Sequence, residues 1–471
     1  MKYIEATRRT FMAKAAMGLI SIPFLSSHSA GIEAQMPAEE QPERKAVSTQ
    51  NRTSVHLNVR DFNALGDGKA KDTAAIQQAL DRCSVLGGGE VLVPAGDYLS
   101  GAIALRSNTV LRLDAGAALL GSPDLADYPL TEVRWEGHWT KGHIGFISAM
   151  DAENISITGK GRIVGNNEIK GRVDRITGLR HPALIEFTHC KNVRVEDCVT
   201  NQNDMWSIHP TYCENITFQN VTVHGGADGI DVDSCKHVVI DGCTFLTGDD
   251  CISLKSGRGE EGYFIHRPTE DVRISNCTFD DIRWACIGIG SETSGGIRNI
   301  HVDHCKCIGA GTFAIYIKSR PGRGAFIEDI YVNDLDVSGA KAGFLRINML
   351  NSGKQDEFSV AGDDGIPTIR NFNFSNIHVT DVPVLVNAVG IHPNKPLKEF
   401  SLVNLSGTCG SGISLANIHH AVLRNINVTG YAGPLLSTSN VTGAGLAGAA
   451  PLAAPKIPDP IPVPAQPYVL H

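Results

Sequence analysis

One short apolar pattern returns along the middle of this chain, and it restricts the fold more than any other feature. Asn192-Val193-Arg194-Val195-Glu196-Asp197-Cys198 is followed by Asn215-Ile216-Thr217-Phe218-Gln219-Asn220-Val221, then by His237-Val238-Val239-Ile240-Asp241-Gly242-Cys243. Asp271-Val272-Arg273-Ile274-Ser275-Asn276-Cys277 continues the series, which recurs at Asn299-Ile300, Asp329-Ile330, Asn371-Phe372 and Glu399-Phe400. The first copies lie 22 or 23 residues apart, and later ones further where loops intervene. Alternating apolar positions mark short strands with one face inward. Gly, Asp and Asn punctuate each copy where a turn is needed.

Strands this short cannot bury a face alone, so coils must stack to share one core. The expected fold is therefore all-β: a parallel β-helix, right-handed by the usual chirality of parallel crossovers, over residues 55–440. An open end would invite edge pairing and needs a cap. The run 72–83 supplies a short N-terminal capping helix, with Asp72 as N-cap and Ile76, Ala79, Leu80 and Cys83 on one face. Cys190, Cys213 and Cys235 recur in register, as do Cys198, Cys243 and Cys277. Free cysteines pack as small hydrophobes, so ladders are expected rather than metal sites.

The two ends differ from this body. Thr7-Arg8-Arg9-Thr10-Phe11, Lys14 and the apolar stretch Ala15–Leu25 are similar to a twin-arginine export signal. That stretch is too short to span a bilayer comfortably. Residues 1–34 are expected to be the signal, 35–54 a linker and 441–471 an Ala/Gly/Pro-rich tail. The mature chain is then a bacterial periplasmic or extracellular protein, a monomer without membrane attachment. A net charge of −8 gives no support to nucleic-acid binding.

Four successive coils align without gaps: Asp228-Gly229-Ile230-Asp231-Val232-Asp233-Ser234, Asp250-Cys251-Ile252-Ser253-Leu254-Lys255-Ser256, Ala285-Cys286-Ile287-Gly288-Ile289-Gly290-Ser291 and Phe313-Ala314-Ile315-Tyr316-Ile317-Lys318-Ser319. Alternation turns their Ile, Val and Leu inward. The outward columns are Asp231, Ser253, Gly288, Tyr316 and Asp233, Lys255, Gly290, Lys318, with Ser207 and His209 before them and Arg346 and Asn348 after. Asp228 and Asp250 stand at equivalent positions of adjacent coils, about 4.8 Å apart along the stack. With Asp249 beside them, at least one of the three pKa values should rise. That would separate a proton donor from an acceptor, as acid/base hydrolysis requires. On spacing alone the cluster also fits turn-forming Asp or a calcium site.

The same residues resemble glycoside hydrolase family 28, the polygalacturonase family, from about Val59 to Val428. Asp61-Phe62-Asn63-Ala64-Leu65-Gly66-Asp67-Gly68 with Asp72-Thr73 is similar to its opening. Asp228-Gly229-Ile230-Asp231, Gly248-Asp249-Asp250-Cys251, Gly290-Ser291-Glu292 and Ile317-Lys318-Ser319 form a more specific block. The resemblance implies inverting hydrolysis of pectic chains without a cofactor or metal. Asp249 matches the general acid, Asp228 and Asp250 the pair that activates water, and Lys318 a residue that holds an acidic sugar.

Three positions depart from the family. Gly226-Ala227-Asp228 stands for Asn-Thr-Asp, Trp284-Ala285-Cys286 for Gly-His-Gly, and Tyr316-Ile317-Lys318 for Arg-Ile-Lys. Tyr cannot replace the bidentate clamp of an Arg. These changes lean toward the rhamnogalacturonan hydrolase branch, although Asp249-Asp250 does not. Tyr316, Lys255, His209, Asp231 and Arg320 are expected as further substrate contacts, with Arg323 and Trp284 as candidates and the loop 257–268 as a groove wall. The competing readings are a carbohydrate-binding β-helix without catalysis and a calcium-dependent pectate lyase.

Overall fold

A computed structural model describes residues 55–280, 282–463 and 468. The expected signal and linker lie outside the described residues. Thirty-one strands join in one sheet, and every pairing in it is parallel. Each coil contributes strands to three stacks. One passes through Ile185–Thr188, Ile208–Thr211, Ile230–Asp233 and Ile252–Lys255. A second passes through Lys191–Glu196, Glu214–Gln219 and Lys236–Asp241, and the third through Val199–Asn201, Thr222–Gly225 and Thr244–Thr247. The chain is a parallel β-helix whose core is the inward Ile, Val, Leu and Phe of all three stacks.

The first residue of the repeat explains itself at one corner. Asn108, Asn154, Asn192 and Asn215 have φ of 62, 56, 55 and 58°. Asn accepts this left-handed bend better than most residues. Its amide also donates up the stack, Asn154 to Asn108, Asn192 to Asn154 and Asn215 to Asn192. The cysteines build the expected ladder, with the Cys190 amide donating to Cys213 Sγ and the Cys213 amide to Cys235 Sγ. Cys286 and Cys307, which the pattern did not single out, form a disulfide.

The cap is helix Thr73–Val85, and it buries Ile76, Ala79, Leu80 and Cys83 as expected. Asp72 does not cap it through its side chain. Its carboxylate instead accepts from the amides of Leu65 (2.7 Å) and Gly66 (2.9 Å), pinning the preceding loop to the helix start. At the other end the sheet continues past residue 440 through Leu436–Ala444 and Ala450–Pro451. The tail packs along the body, where the Gly362 amide donates to the Ile461 carbonyl. One antiparallel hairpin, Leu130–Trp135 with His138–His143, forms a separate two-stranded sheet.

Candidate active site

The first stack carries the polar face. Asp231 pairs with Ser253, Ser253 with Gly288, Gly288 with Tyr316, and Tyr316 with Arg346, while Asp233 faces Lys255 and Lys318 faces Asn348. One coil earlier the register differs from the sequence alignment. Ile208 pairs with Ile230 and Thr211 with Asp233, so His209 falls opposite Asp231 rather than Asp233. A two-residue slip leaves every side chain on its own face, so alternation cannot detect it.

Asp228, Asp249 and Asp250 meet in a cavity of about 130 Å³, lined also by Glu136, Arg172, Trp206, Lys255, Glu292 and Lys318. The Ser253 hydroxyl lies 3.1 Å from Asp228 Oδ2 and 3.4 Å from Asp250 Oδ2, bridging the two carboxylates. Asp250 is further held by Lys318 Nζ (2.6 Å) and by the Ala285 amide (3.1 Å). The opposite flank needs glycine. A Cβ on Gly288 would stand 2.3 Å from Asp250 Oδ2.

The two bridged carboxylates differ electrostatically. Burial raises the Asp250 pKa to about 6, with Asp228 and Asp249 adding to the rise and Lys318 opposing it. Burial would also raise Asp228, but Lys255 and Arg172 outweigh it and hold that carboxyl below its ordinary value. Lys255 Nζ stands 3.0 Å from both Asp228 and Asp231, and its own pKa rises because these carboxylates outweigh its burial. Asp249 lies at the rim, its Oδ2 paired at 2.5 Å with the guanidinium of Arg172. The site thus holds one carboxylate kept ionised and a neighbour that takes a proton near neutrality. Among the described residues, no group of three His, Cys, Asp or Glu is arranged to hold a metal ion.

A family model described as glycosyl hydrolases family 28 matches residues 83–421, most of the chain. The chain belongs to that family. This family 28 hydrolase is 28% identical over 404 residues to "Probable polygalacturonase" of Vitis vinifera, covering 82% of this chain and 81% of that one. An exo-poly-alpha-D-galacturonosidase of Dickeya chrysanthemi is 25% identical over 324 residues, covering 57% of this chain and 52% of the other. Among solved structures, a hyperthermoactive exopolygalacturonase from Thermotoga maritima superposes with a TM-score of 0.70 at 26% identity, covering 80% of this chain and 92% of that chain. The protein is therefore a polygalacturonase-like glycosyl hydrolase.

Not every expected contact of this hydrolase reaches the cavity. Lys318 and Lys255 line it, and Asp231 lies fully buried beneath Lys255. His209 is not open to a sugar. It is 1% exposed, edge-on to Trp206 at 4.4 Å, with Nδ1 3.6 Å from Glu186. Tyr316 is buried too, with its hydroxyl 3.1 Å from Ser352 Oγ and its ring close to both Lys318 and Arg346. Arg320 donates to the Gly353 carbonyl and does not line the cavity. Arg323 is wholly buried, paired with Asp356 and bonded to the carbonyls of Ser291 and Lys354. Trp284 is exposed and also stands outside the cavity lining.

The loop 257–268 contains helix Gly259–Ile265, and it is tied to the hairpin by buried charge. Arg134 bonds Asp233 at 2.9 Å and Glu261 at 2.6 Å, so the hairpin is anchored to both a groove strand and this helix. The hairpin tip then delivers Glu136 to the cavity, where Arg258 and Lys354 pair with it. Glu136 and Arg172 were not expected from the sequence. They arrive from irregular or antiparallel segments that carry no repeat. Glu292 belongs to the block Gly290-Ser291-Glu292 named in the sequence, which gave it no role, and it lines the cavity.

Proposed function

We propose that this hydrolase is exported and cleaves a pectic chain beside galacturonate with inversion at the anomeric carbon. Asp249 protonates the leaving oxygen, while Asp228 and Asp250 activate a water on the opposite face. Lys318 and Lys255 supply positive charge to the acidic sugar, and Asp231 positions Lys255 from below. The observation that carries this reading is the Ser253 bridge between Asp228 and Asp250, whose pKa values are pushed in opposite directions. The ionised member of the pair, Asp228, is ready to take a proton from water, while the acid on the other side of the bond is the separate carboxylate Asp249.

Tyr316 in place of Arg leans toward a neutral rhamnose beyond the scissile bond. Arg346 lies one coil along, with its guanidinium 5.2 Å from the Tyr316 ring, so positive charge is present near that place. Together with galacturonan-named relatives this supports a galacturonate–galacturonate bond ahead of a galacturonate–rhamnose bond. The test is product NMR with oligogalacturonate and, in parallel, unbranched rhamnogalacturonan. Reducing ends first released in the β configuration from oligogalacturonate are expected. α-Configured ends would overturn inversion, unsaturated ends would overturn hydrolysis, and cleavage of rhamnogalacturonan alone would reverse the order of substrates.

A further inference from the structure

Five carboxylates line the cavity (Glu136, Asp228, Asp249, Asp250 and Glu292) against three cations, Arg172, Lys255 and Lys318. An anionic sugar entering such a site is repelled unless a cation releases a protein carboxylate to receive it. The two lysines lend the sugar positive charge from where they stand but stay tied to protein carboxylates. Lys255 is shared among Asp228, Asp231 and, at 3.9 Å, Glu292, while Lys318 is held 2.6 Å from Asp250. Their side chains are 10% and 14% exposed, whereas that of Arg172 is 36% exposed.

Arg172 comes from the irregular segment between strands Arg162–Val164 and Ile185–Thr188, and Asp249 is its one ion-pair partner among the described residues. Arg172 also lines a depression of about 460 Å³, together with Gly225, Gly226, Gly248 and Arg283 among others. Arg172 thus borders both the catalytic cavity and this depression. Its ion pair conflicts with the role of Asp249. An oxygen that accepts from a guanidinium is occupied by that contact and cannot face the leaving oxygen at the same time.

We propose that Arg172 passes from Asp249 to the carboxylate of the incoming sugar, so that binding of an acidic substrate is what frees Asp249 to act. Asp249 then takes one proton from solvent and delivers it to the leaving oxygen as the glycosidic bond breaks. The attacking water gives its proton to the Asp228–Asp250 pair, which returns it to solvent. Arg172 is thus a specificity-determining residue that couples substrate charge to the acid. The inference rests on the proposed role of Asp249, but its test does not require turnover.

Galacturonic acid and neutral galactose serve as uncleaved probes in calorimetry. Asp249→Asn removes the competing charge and is expected to tighten galacturonic acid binding by about tenfold, the order a charge-assisted hydrogen bond is worth. Galactose binding should stay unchanged. The tightening should vanish when Arg172→Gln is added, and Arg172→Lys should keep part of it. No tightening in the Asp249→Asn variant, or tightening that survives without Arg172, overturns the exchange. Thermal melts of each variant verify folding, and loss of wild-type cleavage of oligogalacturonate in the NMR assay would bear on the proposed function instead.

Discussion

Lys318 Nζ stands 2.6 Å from Asp250 Oδ2, and neither side chain is more than slightly exposed. This pairing restrains a rise that burial and the charges of Asp228 and Asp249 otherwise impose on Asp250, leaving its pKa at about 6. Below that pH Asp250 carries a proton and cannot help to accept one from water. The acid limb of kcat/KM is therefore expected at about pH 6, falling as pH is lowered. Removing the positive charge in Lys318→Met should move that midpoint upward, whatever happens to the height of the profile. A midpoint that stays or moves down in reducing-sugar assays across roughly pH 4–8 would show that another group sets the limb.

Asp249 and Asp228 differ in how deeply they are built in. The Asp249 side chain is 29% exposed and that of Asp228 is 6% exposed, paired with Lys255. Asp249→Asn should lower turnover by roughly 10²–10⁴-fold, the range of acid/base catalysis, with little change in melting temperature. Asp228→Asn should lower both, because Lys255 loses a buried partner. Near-normal turnover in Asp249→Asn would remove it as the acid.

The fold was legible because its signal is repeated: one inward-facing alternation, copied many times, identifies coils even where single strands would be ambiguous. The same symmetry hid the slip at His209, since a shift of two residues keeps Ile208 inward and His209 outward. The carboxylates were legible because they sit on the repeat itself. Glu136 and Arg172 were not, because a hairpin and an irregular loop bring them in from outside it. Burial was the other blind spot. Arg323 looks like a surface charge in sequence, yet it disappears into a pocket made by Asp356 and two carbonyls.

Lys255 offers a test of how the site affects stability. Lys255→Met would leave Asp228 buried without its principal cation, at a cost of roughly 3–5 kcal/mol. Lys255 now helps to hold the folded Asp228 pKa down, so its loss lets that value rise. An acid with a raised folded pKa destabilises the native state as pH climbs through that value. The cost should thus be larger at about pH 8 than at about pH 5 in urea unfolding. Equal costs would mean that Lys255 contributes chiefly through its packing over Trp206, 4.7 Å from the ring centroid.

Export is tested by the paired arginines at the N-terminus. Replacing Arg8 and Arg9 together with Lys conserves charge but removes the twin-arginine pattern. The variant should accumulate in the cytoplasm of a bacterial host, while the wild-type chain appears in the periplasm or medium. Fractionation with unchanged export would assign the leader to another route.

Arg346 decides how a missing clamp is replaced. Its guanidinium has no hydrogen bond or carboxylate partner among the described residues, and it is half-buried near the rings of Tyr316 (5.2 Å) and Phe313 (5.8 Å). A cation held against aromatic faces keeps its charge available for a carboxylate that arrives with the substrate. The position lies one coil, about 4.8 Å, beyond Tyr316, a displacement that a flexible sugar chain can follow. Arg346→Ala is expected to raise KM for oligogalacturonate by about tenfold, the worth of one charge-assisted contact, with kcat changed far less. Carboxyl-reduced oligomers, if cleaved at all, should show no such rise. A fall in kcat with KM intact would instead mean that Arg346 acts in the transition state, and an unchanged KM would leave Lys318 to hold the acidic sugar without help from the next coil.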